Sequence, residues 1–181
     1  QLPLVTEYWS IPRIGLAQTY LGQVKVDDGC ALGLYAPPGS GMSAFLQNDF
    51  VSAAHHAGMG TAYFDMRDRV EAVDATLSGV VLQALSEEAV ALGSPLARLH
   101  SERRGASDNA EHPVIFAMVK ALTARPRNRA PIILIVDHCE QMCRTANAIN
   151  EWDFFLKNIG WAHAHIRLVL SAATRGSFAL M

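Results

Sequence analysis

No stretch of this 181-residue sequence reaches the roughly 18 consecutive apolar residues that a bilayer-crossing helix needs. Its N-terminus also lacks the basic segment and apolar core of a secretory signal. A soluble cytoplasmic protein with no membrane partner is therefore the expectation. Cysteine is scarce, and three thiols make no paired disulfide framework. Cys139 and Cys143 lie four apart beside His138, which reads either as incidental thiols or as part of a metal site. An excess of one charge is missing as well: 15 basic against 17 acidic residues leave a net charge of −2, which argues against a dominant polyanion-binding surface. Only Arg125-Pro126-Arg127-Asn128-Arg129 concentrates positive charge, as a solvated loop or as a local nucleic-acid contact. There is no internal repeat and no low-complexity tract. Gln1 is not a natural start, so the sequence reads as a processed or excised piece.

What is present is half hydrophobic, enough for one domain with a substantial core. Apolar runs of strand length alternate with segments of helical period, the pattern of an α/β domain built on a mainly parallel sheet. Strands are expected at residues 30–35, 61–65, 131–137 and 166–171. In the third, Ile132-Ile133-Leu134-Ile135-Val136 is apolar at every position, which predicts a central strand covered on both faces. Helices are expected at 15–26, 43–57, 73–92, 113–124 and 140–157, the second carrying Phe45, Leu46, Phe50, Val51 and Ala54 on one stripe. Residues 93–110 mix Gly, Ser, Asp and Asn with paired arginines and read as an exposed loop.

Directly after the first strand comes Ala36-Pro37-Pro38-Gly39-Ser40-Gly41-Met42-Ser43. The phosphate-binding pattern G-x-x-x-x-G-K-[ST] uses glycines so that backbone N–H groups can wrap an anion, a lysine for the β- and γ-phosphates, and a hydroxyl for Mg²⁺. Here Ala36 replaces the first glycine and Met42 the lysine. Pro38, Gly39, Ser40, Gly41, Met42 and Ser43 are the candidate nucleotide-binding residues. Strand, turn and helix in that order bring unpaired N–H groups and a partial positive charge to one place, so an anion is favoured there even without an ammonium. An ordinary Pro-Gly turn is the alternative.

Asp137 closes the apolar third strand, at the sheet edge where open α/β folds bind ligands. It reads as a Mg²⁺ ligand together with Ser43, or as the N-cap of the following helix.

These elements resemble the nucleotide-binding core of P-loop ATPases of the additional-strand group, similar to the AAA+ and STAND families. The similarity runs from Pro12-Arg13 through the glycine turn, Tyr63-Phe64-Asp65, Asp137 and Leu170-Ser171-Ala172-Ala173-Thr174-Arg175. It implies a three-layer P-loop NTPase fold, with the strand at 166–171 lying between the glycine-turn strand and the Asp137 strand. A lead-in segment with a helix at 1–28 would precede the core at 29–181. The resemblance also implies ATP or GTP with Mg²⁺ as cofactors, a protein partner or self-association, and Ser171 or Thr174 as a sensor of the γ-phosphate. Arg175 is then either an arginine acting on a neighbouring subunit or a surface residue.

The departures bear on activity. Many relatives place a glutamate directly after the strand-end aspartate, and here that residue is His138. Val136-Asp137-His138-Cys139-Glu140 is similar to a pattern with the acid three residues on, which makes Glu140 the candidate for orienting water; it also suits a first helical turn as an acid facing the dipole. Methionine neither donates a hydrogen bond nor neutralises charge. ATP or GTP binding with weak or lost hydrolysis is thus the expected function, whether Met42 is a natural loss or an engineered replacement. A non-catalytic scaffold for assembly and an ATPase subunit of a nucleic-acid complex are the rival readings. The resembled fold continues into a fifth strand and often a helical lid, so the sequence reads as a fragment or as a reduced domain completed by a partner.

Overall fold

The computed structural model describes residues 12–26, 31–67, 81, 83–85, 120–122, 124–126, 128–140 and 165–173. Four strands, β1 (Ala31–Tyr35), β2 (Thr61–Asp65), β3 (Ile132–Asp137) and β4 (Ile166–Ala172), form one sheet in the order β1-β4-β3-β2. Every pairing is parallel, so each connection is a crossover returning to the same sheet edge. As expected, β4 lies between the glycine-turn strand and the Asp137 strand. The register sets Asp65 beside Asp137 and Val136 beside Leu170.

All six residues of β3 are buried, because its alternating side chains enter two separate cores. Ile132, Leu134 and Val136 join Phe64, Leu168 and Leu170 on one face, against the helical residues Val81, Leu85, Ala121 and Leu122. Ile133 and Ile135 join Leu34 and Val169 on the other, under Ala17, Leu21, Phe45, Leu46 and Phe50. The result is the three-layer arrangement of helices, parallel sheet and helices.

Helix α1 (Ile14–Val26) buries Ala17, Leu21 and Val24, one stripe at helical spacing, and carries Lys25 in its last turn, where the dipole favours a cation. The helical run after the glycine turn is not uniform. It begins as α2 (Met42–Ala44), widens into a π-helix at Phe45–Phe50, and continues as α3 (Val51–His56). The Val51 N–H reaches back to the Leu46 carbonyl, five residues away. This widening departs from the regular helix expected at 43–57 and lets Phe45, Leu46 and Phe50 all face the sheet. Gly58, at φ 74, ends the run: its N–H bonds the His55 carbonyl at 2.9 Å and the Met59 N–H bonds the Ala54 carbonyl at 3.0 Å. That pair of bonds is the Schellman closure, which favours glycine at this position.

One expectation needs correcting. Arg125 does not join a solvated basic loop; it is buried, with Nη2 donating to the Ala130 carbonyl at the approach to β3. Arg129 is exposed. The expected helices at 73–92, 113–124 and 140–157 fall mostly outside the described residues, and the loop at 93–110 wholly so. Among the described residues no helix is long and apolar enough to cross a membrane.

Candidate functional site

The carboxyl ends of β1, β3 and β4 and the start of the helical run meet at one edge of the sheet. There the chain leaves β1 through Ala36, whose N–H extends the pairing to the Ala172 carbonyl at 3.3 Å. Gly39 and Gly41 then take φ of 79° and 74°, a region that L side chains rarely enter. The Ser40 N–H closes on the Pro37 carbonyl at 3.2 Å, and the Phe45 N–H makes the first helical bond, to the Gly41 carbonyl at 2.9 Å.

Arg13, just before α1, holds this turn from outside. Its Nη2 donates to the Gly41 carbonyl at 2.7 Å and Nη1 to the Ser40 carbonyl at 3.3 Å, while the guanidinium lies 5.1 Å from the centre of the Phe45 ring. The Arg13 N–H donates to Asp49 Oδ2 at 3.3 Å. Arginine thereby takes up carbonyls and leaves the turn's amides to other partners.

Asp137 is 1% exposed and accepts from three groups. Tyr63 donates its hydroxyl to Oδ2 at 2.7 Å, Ser171 donates to Oδ1, and the His138 N–H reaches Oδ1 at 2.9 Å. Burial pushes this carboxyl up, but the bonds from Ser171 and Tyr63 and the neighbouring Ser43 and His138 outweigh it, and the group stays below the usual aspartate range. The Tyr63 hydroxyl is driven well above its ordinary value, by burial first and then by its bond to Asp137. It therefore remains a donor.

His138 follows with φ 58, the one non-glycine residue at positive φ among the described residues. Its Nε2 lies 3.2 Å from Ser43 Oγ and 3.7 Å from Asp137 Oδ2, and its Nδ1 lies 3.1 Å from Glu140 Oε1. Glu140 Oε2 in turn accepts the Ala173 N–H at 3.1 Å. Burial raises the Glu140 carboxyl, yet backbone N–H groups, including that of Ala173, and His138 bring it below its usual range. On β2, Asp65 is likewise raised by burial but lowered further by Arg67, whose Nη2 sits 2.7 Å from Oδ2. Asp65, Asp137 and His138 each offer one donor atom, and these atoms lie within 4.8 Å of one another.

The structure thus brings Ser43, Asp137, Glu140 and Ser171 into one connected network beside the turn that carries Pro38, Gly39, Ser40 and Gly41. Met42 behaves differently: it is half-buried and packs against the core under α1 and the π segment. Thr174, Arg175 and Cys143 lie outside the described residues. Cys139 is buried, donates to the Val136 carbonyl at 3.3 Å, and has its thiol pushed up to about 12 by burial. It stands apart from the donor cluster and reads as a packed thiol. Four participants were not singled out as site residues by sequence: Arg13, Tyr63, Asp65 and His138 as a bridging ring. Tyr63 and Asp65 had one legible signal, their place at the carboxyl end of a strand paired with β3. Arg13 was marked only as the start of the resembling stretch, with nothing to tie it to a carbonyl 28 residues away.

No family model matches the chain, and no curated protein does. Solved structures do. An ORC2 protein of Aeropyrum pernix in ADPNP and ADP complexes aligns with a TM-score of 0.57 at 17% identity over 97% of this chain and 46% of its own. The ORC1 protein of Aeropyrum pernix, in complex with DNA, aligns at 0.51 and 17% over 92% and 40%. The Walker-type ATPase PABY2304 of Pyrococcus abyssi gives 0.50 and 12% over 93% and 47%. The chain spans less than half the length of each of these proteins. At such identities the likeness establishes the fold alone: an α/β domain with a parallel sheet flanked by helices, shared with these proteins.

Proposed function

We propose that this chain binds a nucleoside triphosphate, ATP in the first place and GTP by the same chemistry, on the turn from Pro38 to Ser43. The observation that carries the reading is the junction itself. Two glycines at positive φ open a helical run whose first hydroxyl, Ser43, lies 3.2 Å from Nε2 of His138, the residue directly after the buried carboxylate Asp137. Backbone amides and the helix dipole supply the phosphate site. Ser43 and Asp137 are the residues that would hold the divalent cation, Mg²⁺ by the family resemblance, which screens phosphate charge when bound. The ADPNP and ADP complexes of the similar ORC2 protein support the same reading.

Glu140 is the residue proposed to orient water, since each of its oxygens keeps a second acceptor site beyond its bond to His138 or Ala173. Ser171, and Thr174 beyond it, are proposed to face the γ-phosphate. Hydrolysis is slow or absent, because no ammonium stands where charge develops in phosphoryl transfer.

The packing of Met42 into the core supports a second reading, a scaffold that keeps the fold for assembly with a protein partner or with a copy of itself. Titration of the chain with fluorescent ATP, with Mg²⁺ and with EDTA, separates the two. Saturable binding below a millimolar supports the nucleotide site, and no binding at millimolar ATP in either condition leaves the scaffold.

A further inference from the structure

Arg13 grips two successive peptide units of the glycine turn. Nη1 donates to the Ser40 carbonyl at 3.3 Å and Nη2 to the Gly41 carbonyl at 2.7 Å, the two-pronged contact for which a guanidinium fork is shaped. The Gly41 carbonyl also accepts the Phe45 N–H at 2.9 Å, so both its lone pairs are taken. A trans peptide unit is planar, and its N–H points opposite its carbonyl. Holding these two carbonyls therefore turns the N–H groups of Gly41 and Met42 away from Arg13, and neither has a backbone acceptor among the described residues. The Phe45 ring, 5.1 Å from the guanidinium, and the bond from the Arg13 N–H to Asp49 Oδ2 hold the residue in place. Asp49 meets the backbone of Arg13 and not its side chain. Among the described residues the guanidinium contacts carbonyls and a ring but no carboxylate, so its charge is left for another anion.

We infer that Arg13 is a positioning residue for polyphosphate: it fixes the Gly41 and Met42 amides for phosphate oxygens and supplies, through the turn, positive charge that Met42 does not. A charged donor makes the stronger hydrogen bond, and bonds in series polarise one another, so each gripped peptide unit presents a more positive N–H. Methionine at 42 brings neither a charge nor a strong donor. The guanidinium stands on the carbonyl side of the turn and acts on the phosphates without touching them. The inference rests on the nucleotide reading and deepens it by naming the residue that sets the charge of the turn.

Calorimetry with ATP at constant Mg²⁺ compares the full chain with two variants. Arg13→Gln keeps an amide donor and loses the charge, while Arg13→Lys keeps the charge and loses the fork. At about 0.01 M salt Arg13→Gln is expected to bind ATP about tenfold more weakly and Arg13→Lys about threefold. Raising the salt to about 0.15 M shortens the Debye length from about 30 to about 8 Å, so the gap for Arg13→Gln should narrow to about threefold. A purely structural role would leave that ratio unchanged by salt. Circular dichroism establishes that the variants fold, and Arg13→Lys carries the test if Arg13→Gln does not. Parent affinity in either variant, or a loss in Arg13→Gln that salt does not alter, overturns the inference. ATP bound equally by the parent and the variants leaves the nucleotide reading standing, whereas no ATP binding by the parent removes that reading and the inference with it.

Discussion

Tyr63 and Asp137 sit diagonally across adjacent parallel strands, and the phenol donates to Oδ2 at 2.7 Å. Parallel pairing sets Tyr63 opposite Ile135, so the residue two further along β3 lies on the same face within reach of a long side chain. Tyr63→Phe removes a hydrogen bond to an ionised group, worth about 1.5–3 kcal/mol. Ser171 and the His138 N–H continue to hold Oδ1, so a loss near the lower end, about 1.5 kcal/mol, is expected in urea unfolding with an unchanged slope. A midpoint equal to that of the parent protein would show that the bond contributes nothing.

Acid should destabilise the domain through the same network. Asp65, Asp137 and Glu140 are all held below their ordinary values in the folded chain. Unfolding therefore takes up protons, and the stability these groups add is present above the ordinary carboxylate values of 3.8 and 4.5. It is lost as pH falls through the lowered folded values. Thermal unfolding should show a falling midpoint below about pH 4, and the Asp137→Asn variant should show a shallower fall. An identical pH slope in that variant would remove Asp137 from the account.

Met42→Lys should tighten ATP binding tenfold or more. A lysine stem can keep the apolar packing that Met42 makes while its ammonium extends toward the turn. At about 4 Å and an effective dielectric near 20, a charge pair is worth roughly 4 kcal/mol before desolvation, so a net gain above 1.4 kcal/mol, one decade in affinity, is a modest demand. Calorimetry on the parent and variant decides it, and equal dissociation constants would mean that phosphates do not lie at this turn.

The two positive-φ glycines of the turn should differ in their tolerance of a methyl group. At Gly39 an added Cβ meets nothing within 4 Å, so alanine costs only the left-handed backbone, about 1–2 kcal/mol. At Gly41 it would come within 3.2 Å of Arg13 Nη2 as well. Gly41→Ala should be the more destabilising in chemical denaturation, and combining it with Arg13→Ala should give less than the sum of the two single losses. Strict additivity would show that Arg13 and the turn are independent.

The legible part of this molecule was the part written in hydrophobic pattern. The all-apolar run at Ile132 to Val136 foretold a strand covered on both faces, and the strand starts and ends fell within a residue of the structure wherever the described residues reach. The glycine turn was legible because positive φ leaves a compositional trace. The π segment was not, since Phe45 to Phe50 reads equally well at 3.6 residues per turn and only packing widens it. Arg125 looked like surface charge because a sequence records its charge and not the Ala130 carbonyl it satisfies. The ring contacts of His138 were hidden for a related reason: they depend on a left-handed backbone at a residue type that does not demand one.

The π segment makes the spacing between the glycine turn and α3 a matter of counting. In a regular helix each residue advances by about 100°, and a π turn holds an extra residue within the run. Deleting a single residue between Phe45 and Phe50 would let the helix relax to regular geometry while Gly41 and Gly58 stay at its ends. Because the π segment had absorbed that one residue's advance, Ala54 would keep its face toward the sheet relative to Ser43. Along this stretch one in-frame codon can be lost without turning α3 off the core, whereas the same loss within α3 itself would rotate everything after it by about 100°.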